Sequence, residues 1–253
     1  MRRVIFNQKG GVGKSSIAVN LAALSARRGR STLLLDLDAQ GNATQYLLGD
    51  AQPETTVAGF FEQFLSFHLT ESRLGEFVLH TPYDNLDLVA ASPALTDLQS
   101  RLEAKHKINK LRDGLGALGA YDAVFIDTPP AFNFYTLSAL IAADTCVIPF
   151  DCDSFAREAL YHLLNNVAEV KADHNPALRV EGIIVNQFQK QAKLPRRIVD
   201  ELKAEDLPLF ETLLPASVKM RESHEAETPL VHFAPKHPLS KAFVALYDEL
   251  VTA

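Results

Sequence analysis

Residues 7–16 read Asn-Gln-Lys-Gly-Gly-Val-Gly-Lys-Ser-Ser, and their types point to phosphate chemistry. Gly10, Gly11 and Gly13 allow consecutive backbone N–H groups to turn inward and form an anion nest. The common phosphate loop is G-x-x-x-x-G-K-[ST]. Gly13-Lys14-Ser15 supplies its end, but Gln8 stands where the first glycine is required, so the strict pattern fails. An apolar strand, Val4–Phe6, precedes the loop, and a helix with Ile17, Val19, Leu21 and Leu24 follows it. Phosphates held here would sit at a helix N-terminus, where free N–H groups and the helix dipole favour anions. Lys14 is expected to reach the β- and γ-phosphates of ATP as a point charge, and the Ser15 hydroxyl to ligate Mg2+. A plain glycine turn would need neither two lysines nor paired serines. Lys9 is then in excess, because one lysine is enough to bind ATP.

A phosphate loop needs carboxylates to hold Mg2+ and water. Asp127 closes the apolar run Val124-Phe125-Ile126 and is followed by Thr128-Pro129-Pro130. A strand ending in aspartate suits Mg2+, bound directly or through water. The second candidate is the run from Leu33 to Asn42, in which Asp36 and Asp38 would share one face of an extended segment. One carboxylate could touch the metal region while the other orients an attacking water. Either acid alone reads as a solvated loop residue; beside the phosphate loop, both read as functional.

Strands are expected at about 2–6, 31–36, 86–90, 122–127, 144–149, 180–186 and 209–214. Most are short apolar runs without alternation, as in strands buried on both faces. Helices are expected at about 14–28, 93–107, 133–142, 153–172, 194–204 and 238–251, with Pro195 in the first turn of its helix. Alternating strands and helices predict an α/β fold, a single doubly wound, mostly parallel sheet with helices on both faces. Residues 41–80 are irregular, with helix-like apolar segments around Val57–Phe67. No linker or repeat divides the chain, so one domain is expected over 1–253.

Composition narrows the function. Hydrophobic content of 47% with 22% charged residues is that of a globular protein, and no apolar run reaches membrane-spanning length. A strand is expected from residue 2 or 3, and a signal peptide is not expected. An N-terminal DNA-reading domain is likewise not expected, nor is sequence-specific repression. Net charge is −6, against a wholesale basic nucleic-acid binder. Its distribution is uneven: residues 1–30 hold seven basic side chains and no acid, and residues 186–203 hold five basic side chains against Asp200 and Glu201. Cys146 and Cys152 make neither a disulfide framework nor a metal site. His224, His232 and His237 lack metal-ligand spacing and read as surface histidines.

Taken together, these residues resemble the ParA/MinD family of deviant Walker ATPases, the ParA branch most closely. Its lysine-rich loop is matched at 9–16, its D-L-D-x-Q-G-N segment at 36–42 and its I-D-x-P-P segment at 126–130. Val-Asn-Gln at 185–187 and Leu-Pro-Ala-Ser-Val-Lys at 214–219 extend the likeness over nearly the whole chain. The resemblance implies a P-loop NTPase fold in which Lys9, Gly10, Gly11, Val12, Gly13, Lys14, Ser15 and Ser16 hold ATP. It implies a homodimer with ATP between the subunits, in which Lys9 reaches the partner's phosphates as an arginine finger does. Lys14 and Lys9 would then both serve catalysis, with Asp38 positioning the water, and Ser15, Asp36 and Asp127 serving Mg2+. Asn186 would bond the adenine edge and backbone near Pro215 would wall the base.

By the same resemblance, the ATP-bound dimer binds double-stranded DNA without sequence preference. Lys190, Lys193, Arg196, Arg197, Lys219 and Arg221 stand in the matching regions. A partner protein with a basic flexible segment would stimulate slow hydrolysis, and the cycle would segregate or position a plasmid, chromosome region or protein assembly. A cytoplasmic, nucleoid-associated protein is implied. The chain departs from the pattern at Asp151-Cys152-Asp153, where many relatives carry Gln-x-Glu, and at Ala39, Ala216 and Lys219. A membrane-binding relative would need a basic amphipathic C-terminal helix; the tail here carries Asp248 and Glu249. No membrane partner is expected. The competing reading is an ATP-dependent ligase or synthetase of the same fold acting on a small molecule.

Overall fold

Strands that are apolar on both faces require cover on both sides, and the chain supplies it. The computed structural model describes residues 1–66, 73–119, 121–153 and 156–252. Along the chain run β1 (Arg2–Ile5), α1 (Lys14–Arg27), β2 (Thr32–Asp36), α2 (Asn42–Leu48), α3 (Val57–Glu62), β3 (Leu79–His80), β4 (Leu86–Val89), α4 (Leu95–Ala104) and α5 (Lys110–Ala117). Then come β5 (Ala123–Asp127), α6 (Phe134–Ala142), β6 (Thr145–Asp151), α7 (Ala156–Asp173), β7 (Arg179–Asn186), α8 (Lys193–Ala204), α9 (Val218–Glu225), α10 (Leu230–Phe233) and α11 (Pro238–Thr252). The seven strands form one sheet in the order β3-β4-β2-β5-β1-β6-β7. All neighbours are parallel except the two-residue edge pair β3–β4.

Alternate strand residues feed two cores. Val4, Leu33, Leu35, Val124 and Ile126 pack with α3 to α8 on one face; Ile5, Leu34, Ala123 and Phe125 pack with α1, α2, α10 and α11 on the other. Each fully buried large side chain of this kind, Phe125 for example, stabilises by about 1.5–3 kcal/mol. Local signals agree with the packing. The Asn133 side chain accepts from the N–H groups of Tyr135 and Thr136 and starts α6, and the Ser217 hydroxyl accepts from Lys219 N to start α9. Pro195 falls in the first turn of α8, as its missing N–H requires.

The chain leaves β1 through α1 toward the β2 edge, and leaves β5 through α6 toward the β6 edge. The two crossovers part on opposite faces, since α1 belongs to one core and α6 to the other. A crevice therefore opens at the carboxyl ends of β1 and β5, where open α/β sheets hold ligands.

Several elements differ from the sequence expectation. The strand foreseen at 209–214 is a tract beside β7 held by isolated bridges at Leu209 and Pro215. Its ladder breaks in the middle because the N–H groups of Glu211 and Thr212 donate to the Glu249 carboxylate on α11 instead of to β7. The edge strand β3 is too short to show a period. The helix α5 is hidden by Gly114 and Gly116, poor helix formers. Gly114 is required by packing, since a Cβ there would lie 2.7 Å from Phe60 Cζ. The apolar segment at 57–67 forms α3 and a 3-10 turn at Gln63–Leu65, and its last residue, Phe67, lies outside the described residues. The helix foreseen at 153–172 starts at Ala156, and residues 154–155 lie outside them as well.

Candidate functional site

The loop after β1 is shaped by its glycines. Gly11 and Gly13 adopt left-handed backbone, with φ of 75° and 89°, a region that side chains disfavour. Gly13 caps α1 with no side-chain bond to the helix N-terminus, so the first N–H groups of α1 are left for a ligand. Lys14 is buried, and its ammonium donates to the Lys9 carbonyl at 2.9 Å. Burial lowers its pKa, while Asp127 and Asp38 pull it back up. A cavity of about 590 Å3 lies over this loop, lined among others by Gly10, Gly13, Lys14, Ser15, Asp38 and Pro130.

The acids come from neighbouring strand ends. Asp36 and Asp127 are paired across β2 and β5, and both are fully buried. Asp38 lines the cavity, and Asp36 is completely buried next to it. Asp36 Oδ1 accepts from Asp38 N, and Oδ2 accepts from Thr44 N and Oγ1, which satisfies the first turn of α2. Desolvation by burial pushes its carboxyl up to about 6, with those hydrogen bonds opposing. Asp127 Oδ1 accepts from Thr128 N, whereas Oδ2 is buried with no hydrogen-bond partner. Burial first, then the Asp36 charge, raise Asp127 well above the usual carboxylate range.

A buried oxygen lacking a partner, beside the Ser15 hydroxyl and an anion nest, is what a hard cation requires. The donor set fits Mg2+, which is bound in such sites by one or two carboxylates together with phosphates and water. Ser15 and Asp127 would hold it, and Asp36, its oxygens already engaged, would support them. Among the described residues there is no group of three or more metal-ligating His, Cys, Asp or Glu side chains. The two cysteines are buried free thiols.

Lys9 behaves differently from Lys14. It is exposed, is not among the residues lining its own phosphate cavity, and pairs with Asp153 and, at 4.0 Å, with Asp151. Those acids are the departure noted in the sequence, and here they hold the second lysine.

A second cavity of about 540 Å3 adjoins the first, lined by Asn186, Pro215, Ala216, Met220, Arg221, Leu239 and Phe243 among others. Asn186 donates to the Val12 carbonyl at 2.9 Å, which leaves its amide oxygen as an acceptor. Gln187, quoted in the sequence only as part of a matching tripeptide and given no role, donates to the Gly11 carbonyl at 2.8 Å. Two side chains from the end of β7 thus brace the loop. His224, read from sequence as a surface histidine, lines both cavities and lies 3.0 Å from Ser16 Oγ. Its position depends on α9, which periodicity did not reveal.

The basic candidates fall into two groups. Lys190, Lys193, Arg196 and Arg197 are exposed along the segment leading into α8 and on its first turns. Among the described residues, Lys190, Lys193 and Arg196 make no ion pair, while Arg197 sits 3.6 Å from Glu201. Lys219 and Arg221 belong instead to α9. Lys219 pairs with Glu222 and lies over the Phe233 ring, and Arg221 borders the second cavity. No helix of the described residues is long and apolar enough to cross a membrane.

Residues 3–180 match the family model described as an AAA domain. The chain is 35% identical to the chromosome partitioning protein ParA of Myxococcus xanthus, over 98% of this chain and 86% of that protein. It is also 35% identical to the chromosome-partitioning ATPase Soj of Thermus thermophilus, over 99% of this chain and 96% of that protein. In fold it is similar to the cobyrinic acid a,c-diamide synthase of Mycobacterium smegmatis solved with ADP and magnesium, at a TM-score of 0.82 and 22% identity, covering 99% and 93% of the two chains.

Proposed function

This chain belongs to the family of the ParA and Soj chromosome-partitioning ATPases, and from that premise we propose that residues 1–253 form one ATPase domain working as a dimeric, ATP-gated switch on DNA. The observation that carries the reading is the contrast between the two lysines. Lys14 is buried and lines the phosphate cavity, and Lys9 is exposed, is not part of that lining and pairs with Asp153.

ATP spans the two cavities, its triphosphate against the loop N–H groups and its base beside Asn186 and Pro215. The Asn186 amide oxygen accepts from the adenine 6-amino group, and Lys14 neutralises the β- and γ-phosphates. Ser15 and Asp127 would hold Mg2+, which would supply further positive charge to the same phosphates. Asp38 accepts a hydrogen bond from the water whose oxygen attacks the γ-phosphorus. The bond from that phosphorus to the bridging oxygen breaks, and ADP keeps the electron pair. Lys9 leaves its aspartates and adds charge to the partner subunit's phosphates. Without nucleotide, two such loops would repel each other across the interface, so the dimer depends on ATP.

Lys190, Lys193, Arg196, Arg197, Lys219 and Arg221 contact DNA phosphates, which gives affinity that tolerates any sequence and weakens with salt. The cationic side chains without acidic neighbours on the α8 segment are the stronger part of this surface. The resemblance to the ParA family implies a partner that presents a basic flexible segment and stimulates hydrolysis. The cycle positions a cargo on the nucleoid in the cytoplasm. For the competing synthetase reading, the likeness to the diamide synthase concerns the fold alone.

The test is binding to a random-sequence DNA duplex with ADP or with ATP, at low and moderate salt. Binding with ATP only, weakened by salt, supports the switch. Absence of binding in both states removes DNA as the matrix.

A further inference from the structure

The two cavities over the loop share four lining residues: Gly11, Gly13, Ser16 and His224. Three belong to the phosphate loop. His224 alone comes from elsewhere in the chain, from α9 on the far side of the crevice. A nucleotide with its phosphates in one cavity and its base in the other must pass this point with the α-phosphate and ribose. Ser16 follows the Lys14-Ser15 pair at the start of α1, so its hydroxyl stands one residue beyond the groups facing the terminal phosphates.

The His224 ring is fixed on two sides. Nε2 lies 3.0 Å from Ser16 Oγ, and the ring meets the Tyr46 ring edge-on with centroids 4.5 Å apart. Tyr46 is itself tied to Ser223 at 2.6 Å and accepts from Leu230 N at 3.0 Å. Asn20 donates to the Ser16 carbonyl and accepts from Val231 N. The imidazole is exposed and lines both cavities, yet it rests on Tyr46, which is anchored in a buried network, an arrangement suited to recognition.

We propose that His224 is a nucleotide-contacting residue that bonds the α-phosphate–ribose junction of ADP and ATP together with Ser16. The proposal rests on the reading that one nucleotide fills both cavities. It assigns His224 to binding common to both nucleotides, and gives it no part in the γ-phosphate step.

The experiment is calorimetric titration of ADP, ATP and inorganic pyrophosphate into the unaltered protein, His224→Ala and His224→Gln. A hydrogen bond to a charged group contributes about 1.5–3 kcal/mol, so its loss weakens binding about tenfold or more. His224→Ala should lose this for ADP and ATP by the same factor, and retain pyrophosphate, which occupies only the loop. His224→Gln should regain most of the affinity, since its amide can reach the position of Nε2. An equal loss on pyrophosphate would mean that the ring merely props the loop and would overturn the proposal, as would full ADP affinity in His224→Ala. If the unaltered protein bound neither ADP nor ATP, the reading of the cavities would fail first, and this outcome is separate from the others.

Discussion

Asp36→Asn, followed over pH in magnesium-free buffer, measures how dry the floor of the site is. Asp36 is completely buried, and desolvation pushes its carboxyl from the ordinary 3.8 to about 6 against the pull of its Thr44 and Asp38 hydrogen bonds. A raised pKa means that the native protein keeps a proton which the unfolded chain has already released. The stabilisation from Asp36 is thus fully present below about pH 4 and is lost as pH rises through about 6. At about 1.4 kcal/mol per pH unit, that loss is about 3 kcal/mol. Asparagine does not titrate. Its one oxygen cannot serve all three donors, a cost of about 1–3 kcal/mol that is the same at every pH.

The stability difference between the two proteins should therefore move by about 3 kcal/mol in favour of the variant between about pH 4 and pH 7. Asp127, raised partly by the Asp36 charge, adds in the same direction. For a chain of this size the change corresponds to about 6–12 °C in relative Tm, read by calorimetric melting of both proteins at each pH. A difference that stays constant to within about 1 kcal/mol would mean that water reaches Asp36, and the reasoning would be refuted.

Three further outcomes are expected. Gly13→Ala would place a side chain on left-handed backbone and against the Asn186 amide, so ADP affinity should fall more than about tenfold, from strain of about 1–2 kcal/mol and the added clash; unchanged ADP binding would contradict the loop geometry. Lys9→Ala should bind ATP within about threefold of the parent, a change of less than 1 kcal/mol, yet stay monomeric with a non-hydrolysable ATP analogue in sedimentation velocity. A Lys9 variant that dimerised normally would remove the role in trans. Asp38→Asn should keep ATP affinity and slow phosphate release by about 10²-fold or more; turnover equal to the parent would exclude Asp38 from positioning the water.

The aspartate clamp on Lys9 links sequence departure to assembly. Lys9, Asp151 and Asp153 are each partly exposed, and exposed ion pairs contribute little, on the order of 0–1 kcal/mol. Such a pair can be given up readily for a partner's phosphates. It keeps the charge close to the loop without locking it there.

Features that depend on neighbours along the chain could be read from the residues alone. The phosphate loop is legible because Gly10 to Ser16 act through consecutive backbone groups, and β1, β2, β5 and β6 because buried parallel strands are continuous apolar runs. Asp127 was legible because a strand end followed by two prolines announces itself locally. Other features arise only when distant segments meet. Asp36 found two of its donors on Thr44, at the start of α2, a partner that a strand pattern alone does not show. The tract at 209–214 lost its ladder to Glu249 on the last helix, a competition invisible to periodicity. Lys9 found its aspartates at and just after the end of β6, more than a hundred residues away. His224 became part of the crevice because α9 folds against Tyr46 and Ser16; a lone histidine carries no spacing that could say so. Side-chain chemistry was written locally, while its direction and its partners were decided by packing, which brings together groups that the chain itself keeps far apart.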